Sequence, residues 1–165
     1  MDRPVRKPNR IPGFQYSTPG AYFITICTKD RKCTLGKVVG GGALDAPQVQ
    51  LSRLGKIVEA KLVSGNRIPN IHVDKYVIMP NHIHFILMVG EADPQEPPQE
   101  TSPANALVPH FVSTLKRFCH KAAGGTLFQR SYHDHVIRNE ADYRKIWEYI
   151  DGNPSKWEED CFYEE

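Results

Sequence analysis

The sequence has few of the features that define several common protein classes. Only four cysteines occur in 165 residues, and none has the CxxC spacing of a zinc finger or a redox site. The most apolar segment, residues 73–89, contains a lysine, a proline, an asparagine and two histidines, which excludes a membrane-spanning helix there. No signal-peptide pattern is present. We therefore predict a cytoplasmic protein with reduced thiols and no membrane partner.

Net charge is also small, at +2, so bulk electrostatics alone do not indicate a nucleic-acid partner. The distribution of charge is more informative, because acidic residues collect at 91–100 and 158–165. Basic residues collect in an N-terminal arm and in a predicted helix: Arg3, Arg6, Lys7 and Arg10, then Lys116 and Arg117. This segregation favours one positive surface. Solvated faces whose charges average out explain it equally well.

The length and a hydrophobic fraction of 40% indicate one globular domain with a single core. We predict an extended basic arm at 1–20, because four prolines disfavour a helix there. A single domain follows at 21–157, with a proline-rich acidic loop at 91–104 and an acidic tail at 158–165. For the arm, disorder is an alternative of nearly equal weight.

Hydrophobic periodicity and turn residues predict the order β-α-β-β-α-β-α. The predicted strands are 21–28, 72–79, 83–89 and 128–138, and the predicted helices are 52–64, 105–123 and 139–153. This order predicts an α+β fold, a ferredoxin-like split βαβ antiparallel sheet with an additional C-terminal helix. In that topology the first and third strands lie at the centre of the sheet.

The third strand carries His82 and His84. Side chains at i and i+2 of a strand project from the same face, so the two imidazoles form a rigid pair of nitrogen ligands for one divalent metal. Such a pair is more often packing or chance when it occurs alone. His133 and His135 have the same spacing; they could contact DNA or orient the metal site, or could be exposed polar groups of an edge strand.

The last helix supplies the other candidate site residues. Its apolar stripe is Tyr143, Ile146, Trp147 and Ile150. Tyr149 and Asn153, one helical turn apart, lie together on the flank of that stripe, where side chains line a cleft. Tyr149 is the predicted nucleophile and Asn153 the predicted third metal ligand. Tyr143 and Tyr132 are weaker alternatives as nucleophile, since one lies on the stripe and the other in a strand.

A tyrosine hydroxyl with a pKa near 10 needs activation before it attacks phosphorus. A divalent cation beside it would polarise a phosphodiester and stabilise the developing charge. Attack would give a covalent phosphotyrosine, which conserves the energy of the bond for rejoining. Hydrolysis needs no such tyrosine. The set of groups therefore favours nicking and joining of a nucleic-acid strand.

Two segments of the sequence resemble a known family. MPNHIHFIL at 79–87 resembles the His-hydrophobic-His motif of HUH single-strand endonucleases, in particular of single-tyrosine transposases of the insertion-sequence type. FQRSYHDHVIRN at 128–139, followed by Tyr149, Asn153 and Pro154, resembles the C-terminal half of REP-associated tyrosine transposases. The resemblance spans about Gly20 to Pro154. The acidic loop at 91–104 has no counterpart to which we assign a role.

The resemblance implies cleavage of single-stranded DNA beside hairpins, with a 5′-phosphotyrosine, a free 3′-OH and Mg²⁺ or Mn²⁺ as cofactor. It implies that Tyr149 is the nucleophile and that His82, His84 and Asn153 hold the metal. Relatives act as monomers or as homodimers, and both states stay open. Arg130 and Arg138, with the basic residues named above, are candidates for DNA contact.

Two other functions stay open from the sequence. A hairpin-binding regulatory module could keep the fold without turnover. A metal-dependent phosphodiesterase could cleave without a covalent intermediate, and its activity would then survive loss of Tyr149. Phe14, Tyr16 and Tyr22 are candidates for stacking on unpaired bases, although core packing is the stronger prediction for Tyr22.

Overall fold

The computed structural model describes residues 13–16, 18–91 and 106–164. The predicted DNA contacts of Arg3, Arg6, Lys7 and Arg10 lie outside the described residues, as does nearly all of the loop predicted at 91–104. Within the described part of the chain, no helix is long and apolar enough to cross a membrane.

A four-stranded antiparallel sheet forms the centre of the fold, in the order β4-β5-β1-β6. A separate hairpin, β2-β3, encloses the glycine-rich loop that follows residue 39. The strands are β1 Gly20–Cys27, β2 Gly36–Val39, β3 Gln48–Leu51, β4 Ile71–Ile78, β5 His82–Val89 and β6 His133–Ile137. The strands β1 and β5, the first and third of the main sheet, are its central pair, as the sequence predicts.

Three α-helices cover the two faces of this sheet: α1 Arg53–Ser64, α2 Leu107–Ala123 and α3 Glu140–Gly152. Capping residues mark the ends of these helices. Ser52 accepts a hydrogen bond from the amide of Gly55 (3.1 Å), and Asn139 accepts one from the amide of Asp142 (2.8 Å). Gly124 ends α2 in the left-handed conformation, with φ of 72°.

The alternation of side chains along β5 decides which groups reach each face. Ile83, Phe85 and Leu87 point into the larger core, which also contains buried side chains of α1 and α2. The alternate positions, His82, His84 and Ile86, lie on the opposite face. There Ile86 packs in a smaller core with Ala21 of β1 and with Ile146 and Ile150 of α3. The third helix therefore covers the same face of the sheet as the two histidines.

One predicted strand is shorter in the structure. Of the strand predicted at 128–138 only His133–Ile137 pairs with β1, and Phe128 makes one isolated bridge with Thr28. On α2, Phe118 is 44% exposed, whereas Cys119 is fully buried. The helix continues its buried face from Leu115 by four residues rather than three, which places Cys119 and not Phe118 in the core.

The three aromatic residues near the start of the described chain pack with one another. Tyr16 and Tyr22 are buried members of the larger core, and Phe14 packs against it. Their ring centroids lie 5.1–6.3 Å apart. Core packing is therefore confirmed for Tyr22, and these rings are not presented to a base.

Candidate metal and nucleophile site

His82 and His84 lie at the start of β5 with ring centroids 4.5 Å apart, and both are buried. The Nδ1 atom of His84 lies 2.7 Å from the hydroxyl of Thr25 on the neighbouring strand. The Nδ1 atom of His82 lies 2.9 Å from the amide oxygen of Asn81. Each ring is thus oriented through Nδ1, which leaves the Nε2 atoms directed to the site.

The position of the proton on His82 follows from Asn81. The amide nitrogen of Asn81 donates to the carbonyl oxygens of Arg31 (3.1 Å) and Phe162 (2.7 Å). Its oxygen therefore faces His82, whose Nδ1 must donate to it. Neutral His82 then has its lone pair on Nε2, a buried atom that has no hydrogen-bond partner among residues 13–16, 18–91 and 106–164.

The environment of the two imidazoles favours their neutral forms. Burial lowers the pKa of His82 to about 4, although the nearby carboxylate of Asp160 acts in the opposite direction. Burial, reinforced by His82, also holds the pKa of His84 well below its usual range. Both rings are therefore neutral at neutral pH, which is the form that ligates metal ions.

Tyr149, on α3, reaches the same place. Its hydroxyl lies 3.4 Å from Nε2 of His84, and its ring makes edge contacts with His84 and Phe23. The side chain is half-buried, with 42% of the residue exposed. Burial raises the pKa of Tyr149 to about 12, and Asp160 acts in the same direction. The hydroxyl is therefore protonated at neutral pH and needs activation before it can act as a nucleophile.

Asn153 follows the last residue of α3 and is almost completely buried. Its amide nitrogen donates to a carboxylate oxygen of Asp160 (3.1 Å), and its amide oxygen is buried without a hydrogen-bond partner in the part of the chain that the structure describes. The structure thus brings together the four residues predicted from the sequence, His82, His84, Tyr149 and Asn153.

The sequence prediction missed Asp160, which lies in the segment assigned to the acidic tail. This segment turns back over the histidines: the ring of Phe162 lies 4.7 Å from that of His82, and the ring of Trp157 lies 6.0 Å from it. The side chain of Asp160 is only 3% exposed, with its Oδ2 3.9 Å from Nε2 of His82. The signal available in the sequence is the aromatic content of 157–163, which is not typical of a solvated acidic tail.

The side chains of the site fit a divalent metal ion. Among the described residues, His82, His84 and Asp160 offer ligand atoms that all lie within 4.8 Å of one another. Within the described chain, Nε2 of His82 and Oδ1 of Asn153 are buried polar atoms without a hydrogen-bond partner, and such atoms are costly to desolvate. A cation would satisfy both atoms. Imidazole, amide and carboxylate ligands together suit ions such as Mn²⁺ or Mg²⁺.

The alternative candidates have other partners. The hydroxyl of Tyr143 donates to the carboxylate of Asp74. Tyr132 packs against the larger core. His133 and His135 are exposed, and His135 bonds Asp142 (2.8 Å), which ties β6 to the first turn of α3. The second His-x-His pair therefore lacks the burial of the first.

The predicted DNA-contacting residues outside the arm divide into two groups. Arg117, Arg130 and Arg138 are exposed, and their contact with DNA stays a prediction. Lys116 is buried, and its ammonium donates to the carbonyl oxygens of residues 129, 130 and 131 at 2.8, 3.1 and 2.9 Å. All three donors are thereby used within the fold, so the structure does not support a DNA contact for Lys116. These three carbonyls lie in the segment just before β6.

We expect Lys116→Met to lower the free energy of unfolding by about 2–3 kcal/mol, because three carbonyls would lose a charged donor. Arg117→Ala, the exposed neighbour on the same helix, should change it by less than about 0.5 kcal/mol. Urea unfolding curves measure both. A Lys116→Met protein as stable as wild type would contradict the structural role of this lysine.

Two known proteins are similar to this chain in sequence. It is 32% identical over 173 residues to an uncharacterized protein of Haemophilus influenzae, covering 96% of this chain and 93% of that protein. It is 22% identical over 141 residues to a REP-associated tyrosine transposase of Escherichia coli, covering 86% and 70% respectively. No family model matches the chain.

A solved structure of a REP-associated tyrosine transposase bound to a REP hairpin has a similar fold. It superposes with a TM-score of 0.61 at 22% identity, covering 94% of this chain and 74% of that one. The chain therefore shares the overall fold of that transposase. The chain is thus similar to REP-associated tyrosine transposases both in sequence and in fold.

Proposed function

We propose that this protein is a metal-dependent endonuclease and strand transferase that nicks and rejoins single-stranded DNA near hairpins through Tyr149. The observation that carries the proposal is the position of the Tyr149 hydroxyl, 3.4 Å from Nε2 of His84 and beside two unpartnered buried ligand atoms. A nucleophile and a metal site in contact suit phosphodiester cleavage. The similarity to REP-associated tyrosine transposases supports DNA as the substrate.

We also propose that the fold is ferredoxin-like. The main sheet has the order second-third-first-fourth, with every neighbouring pair antiparallel. That order and the helices between its strands support a split βαβ arrangement. The third α-helix packs on the sheet of its own chain through Ile146 and Ile150, so we propose that Tyr149 acts in the subunit that carries its histidines. Both a monomer and a homodimer are compatible with this arrangement.

His82, His84 and Asn153 would hold Mg²⁺ or Mn²⁺, with the two imidazoles presenting Nε2 and the amide presenting Oδ1. When bound, the ion would polarise the scissile phosphate and stabilise the charge that develops on its oxygens. Thr25 and Asn81 hold the rings in place through their Nδ1 atoms. The strand platform limits ring movement, which a precise phosphate geometry requires.

In the proposed reaction the hydroxyl oxygen of Tyr149 forms a bond to phosphorus, and the bond from phosphorus to the 3′-oxygen breaks. The products are a 5′-phosphotyrosine and a free 3′-OH. Because 42% of Tyr149 is exposed, water can accept its proton. Attack by a 3′-OH on the phosphotyrosine reverses these bond changes and rejoins a strand. Exposed Arg117, Arg130 and Arg138 would contact DNA phosphates in this proposal.

The test uses labelled single-stranded DNA that contains the hairpins flanking the gene. Reactions are run in a buffer at cytoplasmic pH, either with Mn²⁺ or with a chelator. We expect a protein–DNA adduct on a denaturing gel only with the metal, and none with a strand of scrambled hairpin. Hairpin binding without an adduct or cleavage would favour a regulatory binding module instead. Metal-dependent cleavage without an adduct would favour a hydrolytic phosphodiesterase.

A further inference from the structure

Asp160 is the one charged side chain among the described residues that contacts the centre of the site without a role in the reaction described above. Its carboxylate is 97% buried, given a side-chain exposure of 3%. One oxygen, Oδ2, lies 3.9 Å from Nε2 of His82 and accepts a hydrogen bond from Asn153 (3.1 Å). A buried carboxylate beside a neutral imidazole is costly unless a positive charge compensates it.

We propose that Asp160 is a fourth protein ligand of the metal, supplied by the segment after the tyrosine helix and positioned by Asn153. This inference rests on the proposed function and deepens it, because it assigns a second oxygen ligand and the negative charge of the site. The ligand atoms of His82, His84 and Asp160 all lie within 4.8 Å of one another. Ligands about 2.1 Å from one octahedral ion lie about 3.0 Å apart when adjacent and about 4.2 Å apart when opposite, and the 3.9 Å separation lies between these two values.

The nitrogen and the oxygen of the Asn153 amide have different roles in this arrangement. The nitrogen donates to Oδ2 of Asp160, which fixes the carboxylate, while the unpartnered oxygen faces the site as a ligand. The other carboxylate oxygen, Oδ1, accepts the amide hydrogen of Phe162 (2.8 Å). The carboxylate is therefore oriented on both sides before a metal binds, as a preorganised ligand should be.

A carboxylate oxygen beside the amide oxygen of Asn153 also changes the kind of ion that the site prefers. Two imidazoles alone suit zinc and copper as well as manganese, whereas added oxygen ligands favour the harder ions. The negative charge of Asp160 raises the affinity for any divalent cation. Loss of Asp160 is therefore expected to weaken Mn²⁺ and Mg²⁺ binding more than Zn²⁺ binding.

The test is Mn²⁺ titration of the full chain by calorimetry, without DNA. We expect Asp160→Asn to weaken Mn²⁺ binding at least about tenfold. This variant keeps an acceptor for the Phe162 amide, and circular dichroism verifies its fold. Glu159→Gln, which removes the same charge from an exposed neighbour, should bind Mn²⁺ within about twofold of wild type. Asp160→Ser provides a second variant without the carboxylate, for which the same weakening is expected.

A purely structural role for Asp160 predicts a different result. Asp160→Asn would then bind Mn²⁺ as tightly as wild type, which overturns the inference while the metal site of His82 and His84 stands. If the wild type itself binds no Mn²⁺, the metal-dependent function fails together with the inference. The rise in the midpoint of thermal unfolding on adding saturating Mn²⁺ gives an independent readout, expected to be smaller in both variants than in wild type.

Discussion

Tyr149→Phe is expected to abolish the covalent protein–DNA adduct and to lower strand cleavage by at least about a thousandfold, because it removes the attacking oxygen. The change deletes one oxygen atom, which lies 3.4 Å from Nε2 of His84. The fold, metal binding and hairpin binding should therefore be unchanged. Quantitative gel assays with labelled hairpin DNA and Mn²⁺ measure the adduct and the cleavage product separately.

Tyr143→Phe is the matched control, since it removes the hydroxyl of another tyrosine on the same helix. That hydroxyl donates to Asp74 and does not reach the histidines. We expect Tyr143→Phe to form the adduct at nearly the wild-type rate. Cleavage that persists in Tyr149→Phe would show that water, or another group, is the nucleophile.

His84→Ala is expected to weaken Mn²⁺ binding by more than about a hundredfold, because it removes one of the two nitrogen ligands. DNA cleavage should fall with it, and high Mn²⁺ concentration should restore only part of the activity. The measurement is equilibrium Mn²⁺ binding, followed by cleavage as a function of Mn²⁺ concentration. Circular dichroism verifies that loss of the bond to Thr25 leaves the fold intact.

A second pair of histidines in the same chain provides a control for this experiment. His133 and His135 have the same spacing on a strand, but both are exposed, and His135 bonds Asp142. The double substitution His133→Ala with His135→Ala should leave Mn²⁺ binding within about twofold of wild type. If it weakens binding as strongly as His84→Ala does, the metal lies elsewhere than proposed.

Those parts of the site that depend on local periodicity were predictable. The pleat of a strand places His82 and His84 on one face, and the pitch of a helix places Tyr149 and Asn153 on one side. Both relations depend on the local geometry of the strand and the helix, and not on the tertiary structure. The antiparallel sheet with its first and third strands at the centre also follows from the order of the elements.

Asp160 could not be predicted in the same way, because nothing local determines that the chain returns to β5 after α3. Its place depends on tertiary contacts, among them the bond from Asn81 to the carbonyl of Phe162 (2.7 Å). For Lys116, the sequence suggests a role that the structure does not support. A basic residue on a helix suggests a solvated or DNA-bound ammonium, yet the chain at 129–131 supplies three carbonyl acceptors that only the folded structure brings near.

The central claim is a covalent bond between Tyr149 and a 5′-phosphate, and mass spectrometry of the digested adduct tests it most directly. The reaction uses wild-type protein, Mn²⁺ and hairpin DNA, followed by nuclease and protease digestion. The account predicts that a nucleotide remnant is attached to Tyr149 in the peptide that contains it. A remnant attached to a different residue, or cleavage with no attached remnant at all, would contradict the account.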